Sequence, residues 1–555
     1  MNSRTPFSIL SVSLFALLLV GVAPAIAQLP ATRLDGVFPA GGRIGETVEM
    51  TISGADLDDV NQLLFSVDGI SATQKMAEPT PFDEGPQPIE NQFVVTIGAG
   101  VAPGRYEVRC RGRYGISGPR SFQVGNLPQV KEIEPNKSPD EATDVPQVPV
   151  SIHGQFASPA DIDLYRFQGT AGQRLVIRGE AAQIDSPTSL VLTLVRSDGR
   201  IVSEARRVAN DDPTIDVKLP EDGAYLLRAY DLLYTAGADR VYRIEIGSTP
   251  TIDFVFPPVG AAGSNEEYTL YGKNLPGGEA SEWMKDGVTL ERLKVRIPIP
   301  ADVVGTLRYT DRLEPSQAGI DGIEYRVASA AGPSNAVLIG TASGPITVEK
   351  SDNDQPTGAQ LLTAPSEVVG QFFPRRDIDW YGFEAKKDDQ LWIDVTSHRL
   401  GASTDTAIVI FAVEKDAEGK ETLKQLDWVN AAVQREGGPE FDERHNDPTY
   451  LFKAPADGSY RLLLRDGHSA VANDPSLTYR LALRPAKSDF RLAMTAMDTS
   501  GSILIRKGGR ESVRVVVFRQ DGFAGEIKLT AEGLPAGGTA PEMLIGPDCN
   551  QAVFA

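Results

Sequence analysis

The sequence predicts an all-β chain, a string of β-sandwich modules, and three observations carry that prediction. The first is repetition. Residues 154–167 read GQFASPADIDLYRF and residues 370–383 read GQFFPRRDIDWYGF. Gly154, Gln155, Phe156, Asp161, Ile162, Asp163, Tyr165 and Phe167 thus return at constant offset as Gly370, Gln371, Phe372, Asp377, Ile378, Asp379, Tyr381 and Phe383. Downstream of each copy, DPTIDVKLPEDGAY from Asp212 is matched by DPTYLFKAPADGSY from Asp447. Upstream, VFPAGGRIGETVEMTISGADL from Val37 aligns without a gap on VFPPVGAAGSNEEYTLYGKNL from Val255. Repetition on this scale marks a duplicated pair of modules. The second observation is that apolar residues fall in short alternating runs bounded by turn residues, the period of half-buried strands. The third is 53 glycines and 39 prolines in 555 residues with few long helix-forming runs, which suits short strands joined by many turns.

Composition bounds the function. Hydrophobic residues make up 41% and charged residues 23%, as in a folded soluble chain rather than a disordered one or a membrane bundle. The formal net charge of −21 gives a surface field that repels nucleic acid and anionic lipid and favours cations, so nucleic acid is excluded as a partner. Cys110 and Cys549 are the only cysteines and stand in different modules, so no disulfide framework holds the folds.

In chain order, residues 1–27 read as a secretory signal peptide: Arg4, the apolar run FSILSVSLFALLLVGV from Phe7, and the small-residue site Ala25-Ile26-Ala27 before Gln28. The run is shorter than the roughly 20 residues that span a bilayer, which disfavours an uncleaved anchor. With no later membrane-length segment, the mature chain is expected to be exported to the periplasm, the cell surface or the medium, without a membrane span.

Residues 33–126 alternate through VEMTIS, LLFSV, QFVVTI, YEVRCRG and SFQV, an antiparallel sandwich signature. The opening VFPAGG, the TISGADL that follows it, and Gly118-Pro119 before SFQV resemble an IPT/TIG domain, an immunoglobulin-like fold. Residues 250–345 repeat the pattern, with Gly332-Pro333 before NAVLIG. Pro39 and Pro257 are expected at strand entries or edges, where a missing donor does no harm.

Residues 130–247 resemble a bacterial pre-peptidase C-terminal (PPC) domain. The motifs that carry the likeness are Glu134-Pro135-Asn136, then Asp161, Asp163, Tyr165 and Phe167 on one strand, Asp222-Gly223 with Tyr225, and Tyr242 on a final strand. Residues 347–487 keep Asn353, Asp377, Asp379, Tyr381, Asp457, Gly458, Tyr460 and Tyr479, but Ser351 stands where the first copy has Glu134. Alternation puts Asp161, Asp163, Tyr165 and Phe167 on one face, opposite Ile162. Asp222-Gly223 and Asp457-Gly458 read as hairpin turns. Short linkers near 127–130, 248–251 and 343–348 leave room for relative motion of the modules. Residues 488–555 resemble the start of a further immunoglobulin-type module, read as partial and truncated.

No H-E-x-x-H, G-x-S-x-G or P-loop pattern occurs, and Cys110 has no adjacent histidine. Residues 28–555 are therefore read as non-catalytic. Metal chemistry is better supported. Oxygen-bearing side chains gather at Glu134, Asn136, Asp161 and Asp163, at Asn210, Asp211 and Asp212, and at Asn353, Asp377 and Asp379 with Asp352 and Asp354. Calcium takes six to eight oxygens of this kind; the plain alternative is a solubilising acidic surface. The resemblance to PPC domains also implies calcium, with the first copy the better site, because Arg375 and Arg376 precede Asp377 in the second. Two functions follow. One is an exported binding or scaffold protein whose partner is an extracellular protein or polysaccharide. The other is the accessory region of a secreted hydrolase whose catalytic domain lies outside this chain.

Overall fold

A computed structural model describes residues 30–79, 81–82, 85–207, 212–285, 287–303, 315–317, 319–329, 332–431, 441–497, 503 and 505–555. The segment read as a signal peptide lies outside them. The described residues are strands and turns with four single-turn 3-10 segments, and they form an all-β stack of sandwiches. None of their helices is long and apolar enough to cross a membrane.

The duplication holds strand for strand. In the second module one sheet runs Gln129–Lys131, Val150–Gln155, Val241–Gly247, Arg174–Glu180, Thr214–Lys218. The facing sheet runs Thr143–Asp144, Ile162–Gly169, Gly223–Asp231, Leu190–Arg196, Ile201–Arg206. The fourth module has the same two orders, from Ile346–Val348 and Ser366–Gln371 in one sheet to Gln360–Leu361 and Ile378–Ala385 in the other. Between each pair of sheets lies one apolar core. In the second module it contains Phe156, Tyr165, Phe167, Tyr225 and Tyr242; in the fourth, Phe372, Tyr381, Phe383, Tyr460 and Tyr479. The inward face of Ile162–Gly169 is thus the one the alternation predicts.

The D-G-x-Y stretches are not hairpins. Thr214–Lys218 and Gly223–Asp231 belong to opposite sheets, so the chain crosses the sandwich between them. Asp222 Oδ1 accepts the amide of Ala171 at 2.7 Å, and the Tyr225 hydroxyl donates to Glu221 O at 2.8 Å, closing the corner. Asp457 and Tyr460 do the same with Lys387 N and Ala456 O, at 2.7 and 2.6 Å. Gly223 and Gly458 have φ of 146° and 154°, values that a side chain would strain. Hairpin and corner demand the same residues, so sequence could not separate them.

The first module pairs a four-stranded sheet starting at Arg33–Phe38 with one containing Gly41–Arg43 and Arg120–Gly125. Pro39 stands where the chain leaves the first sheet for the second, as Pro257 does between Thr251–Phe256 and Val259–Ala261. Residues 489–554 contribute a three-stranded and a two-stranded sheet. The first junction is packed rather than loose. Ile184 and Val241 of the second module share the core of Leu34, Val37 and Phe122, and Ser121 N and Oγ donate to Asp185 at 2.9 and 2.7 Å. Lys273 of the third module reaches Asp216 at 3.2 Å. Apolar burial across the linker replaces the expected freedom.

Candidate cation site at the linker strand

The edge strand Gln129–Lys131 leads out of the first module and pairs in parallel with Val150–Gln155. Its register continues one residue further, where Glu132 N donates to His153 O at 3.0 Å. Glu132 Oε1 then accepts the amide of Gln155 at 2.9 Å. The chain turns at Pro135 and reaches Asn136, whose carbonyl accepts Leu164 N at 3.0 Å and so pins it against the strand carrying Asp163. Two segments remote in sequence are thereby joined at one end of the sandwich.

Carboxylate oxygens of Glu132, Glu134 and Asp163 lie within 4.8 Å of one another. Asp163 is 0% exposed, Glu132 half-buried and Glu134 exposed, so the cluster runs from the core to solvent. Asn136 is also 0% exposed; neither atom of its amide makes a hydrogen bond of full geometry among the described residues, though the amide lies near enough to Asp163 to favour that carboxylate's charged form. Asp163 Oδ1 likewise makes none of full geometry, while its other oxygen accepts the Tyr242 hydroxyl. Tyr242 in turn lies 2.6 Å from the Tyr165 hydroxyl, giving a relay from Tyr165 to Tyr242 to Asp163. Gly154 makes room for it: a Cβ there would stand 2.2 Å from Tyr242 Cζ.

Burial, and then the charge of Asp163, pushes the Glu132 carboxyl up to about 9. Burial also lifts Asp163 to about 7, with Asp161 and Glu134 adding to the lift against the Tyr242 hydrogen bond. Glu134 is raised by burial and by Asp161. No basic side chain is among the main influences on Glu132 or Asp163. Buried acids are ordinarily paired with a cation or neutralised. Three carboxylates and a buried amide oxygen are the hard oxygen donors that calcium takes, so the residues fit that ion.

Of the residues singled out from sequence, Glu134 and Asp163 meet, with Asn136 beside them. Asp161 stands near the cluster but outside the group within 4.8 Å; its Oδ2 accepts Ala157 N and Ser158 N at 3.0 and 3.2 Å, capping its own loop. Asp212 caps the turn Ala182–Ile184, accepting Ala181, Ala182 and Gln183 amides at 2.8–3.0 Å. Asn210 and Asp211 lie outside the described residues. Glu132 escaped the sequence reading, although Glu349 repeats it at the same spacing before Asn353.

The fourth module rebuilds the frame. Glu349 N donates to Val369 O at 3.0 Å, Glu349 Oε1 accepts Gln371 N at 3.0 Å, and Trp380 N donates to Asn353 O at 2.8 Å. Asn353 Nδ2 and Asp379 Oδ2 are buried without a hydrogen bond of full geometry among the described residues, though the Asn353 side chain favours the charged form of Asp379. Burial raises Glu349 to about 7 and Asp377 to about 6, and lifts Asp379 well above its usual range. Two differences separate the copies. Ser351 replaces the third carboxylate, and the Tyr479 hydroxyl donates to Glu349 at 2.6 Å rather than to the aspartate. Asp377 caps its loop through Phe373 N at 3.0 Å. Arg375 Nε donates to Ala470 O at 2.5 Å.

Fold and site together define a protein of stacked β-sandwiches with an acidic, oxygen-rich cluster where a linker strand enters. Residues 161–231 match the family of bacterial pre-peptidase C-terminal domains. No curated protein matches the chain significantly. Among solved structures it is similar to the pre-peptidase C-terminal domain of a collagenase from Bacillus anthracis, at 18% identity over 20% of this chain and 99% of that one, TM-score 0.17. It is similar also to PliG, a periplasmic inhibitor of g-type lysozyme from Aeromonas hydrophila, at 15% identity over 21% and 98%, TM-score 0.15. A third similarity is to SGBP-B of the Bacteroides ovatus mixed-linkage glucan utilization locus, in complex with a mixed-linkage heptasaccharide, at 12% identity over 82% and 76%, TM-score 0.15.

Proposed function

We propose that this chain is a non-catalytic, exported binding or scaffold protein whose second module is clamped by calcium. The observation that carries the reading is the meeting of Glu132, Glu134 and Asp163, with the buried Asn136 amide beside Asp163, at the point where the first linker becomes an edge strand. A divalent ion there would be held by the three carboxylates and Asn136 Oδ1, and would tie the linker to the strand Ile162–Gly169. The fourth module, with Ser351 in place of a third acid, would hold it more weakly, since ligand charge tunes such sites. The partner on this reading is an extracellular polysaccharide or protein. The family matched by residues 161–231 also keeps the accessory region of a secreted hydrolase as a second reading.

Limited proteolysis of the full chain, with calcium and with chelator, tests the clamp. Calcium is expected to suppress cleavage within residues 127–141. Equal cleavage in both conditions would contradict it.

A further inference from the structure

The duplicated modules share a second feature, on the outer face of the sheet that carries Ile162–Gly169 in the second module and Ile378–Ala385 in the fourth. Strands Gly223–Asp231 and Gly458–Asp466 take the same place in those sheets. Each ends on an aspartate that accepts a loop amide, Ser189 N on Asp231 and Asp405 N on Asp466, at 2.8 and 2.7 Å. Leu227 and Ala229, and Leu462 and Leu464, face the two cores, so Arg228, Tyr230 and Arg465 between them face outward. In the fourth module the Arg465 guanidinium lies over the indole of Trp428 at 4.5 Å. In the second the Arg228 guanidinium lies over the ring of Tyr230 at 5.2 Å, and Tyr230 is stacked on Tyr234, with centroids 5.6 Å apart and planes 16° from parallel.

The outermost ring of each stack is open to water: Trp428 is 47% exposed and Tyr234 48%. An indole with a guanidinium over one face and that much exposure has its other face free. Trp428 is also fixed in its own plane, since Nε1 donates to Asn430 Oδ1 at 3.0 Å. Arg228 and Arg465 each have a buried Nε and make neither a hydrogen bond nor an ion pair among the described residues, so both back a ring instead of answering an acid. Large aromatic rings are ordinarily buried. Here the two copies use different residues, a tryptophan on the strand Glu421–Asn430 and a tyrosine on a loop, to expose a propped ring at the same corner of the sheet. Duplication alone would have repeated the residues; the corner repeats the chemistry.

We infer that these two corners are stacking platforms for the pyranose rings of a neutral polysaccharide, one on Trp428 and one on Tyr234. A pyranose presents C–H groups on its flat side, which lie against the electron-rich face of an aromatic ring. Its hydroxyls spread outward, within the chemistry of the Asn430 amide and the tyrosine hydroxyls. Charge selects a neutral chain: the arginines stand behind the rings, and a net charge of −21 repels a polyanion. A protein partner or a bilayer would call for a wider apolar surround, whereas the strand of Trp428 carries Glu421, Lys424 and Asp427. Two platforms on one protein hold a polymer at two points and so retain it more firmly than a short oligomer. The inference rests on the reading of the chain as an exported binding protein and names its ligand class, and it does not depend on the calcium clamp.

The test is affinity electrophoresis of the full chain, in calcium, through gels containing soluble β-glucan, xylan, galactomannan, dextran or polygalacturonate. At least one of the four neutral polymers is expected to retard the chain, and more strongly than polygalacturonate does. Trp428→Leu keeps an apolar cover over Arg465 but removes the flat face; it and Tyr234→Leu should each weaken that retardation by about tenfold, the loss of one aromatic contact, with an unchanged melting temperature. Trp428→Tyr, which restores a ring, should keep most of it. Failure of all four neutral polymers, stronger retardation by polygalacturonate, or undiminished retardation of the Trp428→Leu/Tyr234→Leu double variant would overturn the assignment. A calcium-dependent melting shift accompanying any of these failures would leave the clamp standing, and retardation that persists in chelator would leave the platforms standing without it.

Discussion

The hydroxyls of Tyr165 and Tyr242 lie 2.6 Å apart in the core of the second module, and those of Tyr381 and Tyr479 lie 2.6 Å apart in the fourth. In each copy the pair ends on an acid, the buried Asp163 in the first and the half-buried Glu349 in the second. Removing the Tyr242 hydroxyl strands Asp163 Oδ2 and leaves Tyr165 only its 3.4 Å bond to Glu132. Tyr242→Phe should destabilise its module by about 1–3 kcal/mol, the range for a buried polar group left unpaired, read as a lower calorimetric transition. An unchanged transition would show that the relay contributes nothing.

The glycine beneath each pair is set by space. A Cβ at Gly154 would lie 2.2 Å from Tyr242 Cζ, and one at Gly370 would lie 2.1 Å from Glu349 Oε2. Gly154→Ala and Gly370→Ala should each cost about 1–3 kcal/mol through overpacking, measured as a lower urea midpoint. A midpoint equal to that of the parent would mean the tyrosines move aside freely.

The D-P-T aspartates predict an asymmetry between the copies. Asp212 and Asp447 each cap a turn, but Asp447 also pairs with Arg399 at 2.9 Å and has a side chain 0% exposed. Asp447→Ala takes one of two carboxylates from Arg399, which keeps Asp394 at 3.1 Å, and also strands the amides. It should cost more than Asp212→Ala, which strands amides only and should cost about 1–3 kcal/mol. Thermal melting of the two variants should rank them in that order, and the reverse order would refute the account of the turn.

His445 gives a pH dependence of definite sign. Its Nδ1 accepts the amide of Asp447 at 3.1 Å, which requires a bare nitrogen. Burial and Arg399 lower it to about 4, with His398 adding and Asp447 and Asp394 opposing. The unfolded chain therefore binds more protons than the folded one. This contribution to stability is complete above the ordinary histidine value near 6.5 and is lost as pH falls toward 4. His445→Gln should melt with a shallower acid slope between pH 6.5 and 4 than the parent. Parallel slopes would remove His445 from the acid response.

What the sequence made legible followed from period and repetition. The inward face of Asp163, Tyr165 and Phe167 could be read because side chains alternate along a strand, whatever lies across from them. Glu132 could not, because its place depends on a parallel pairing of Gln129–Lys131 with a strand some twenty residues away, and no local pattern encodes that partner. Asp161 and Asp212 show a related limit. A carboxylate that caps backbone amides and one that holds a cation are the same residue in a loop, and only the direction of the oxygens separates them. The corner at Asp222-Gly223 shows the same limit for turns.

The central claim is that the second module closes on calcium through Glu132 and Asp163, and calorimetry of the full chain at pH 8 tests it most directly. The parent should melt higher in calcium than in chelator, by about 2.7 kcal/mol of stability at a hundredfold excess over the dissociation constant. Glu132→Gln and Asp163→Asn should lose that increment in calcium, yet in chelator melt no lower than the parent, since each removes an acid that burial disfavours. Identical transitions of the parent in calcium and chelator, or variants equally lowered in both, would contradict the claim and leave these acids as parts of the fold alone.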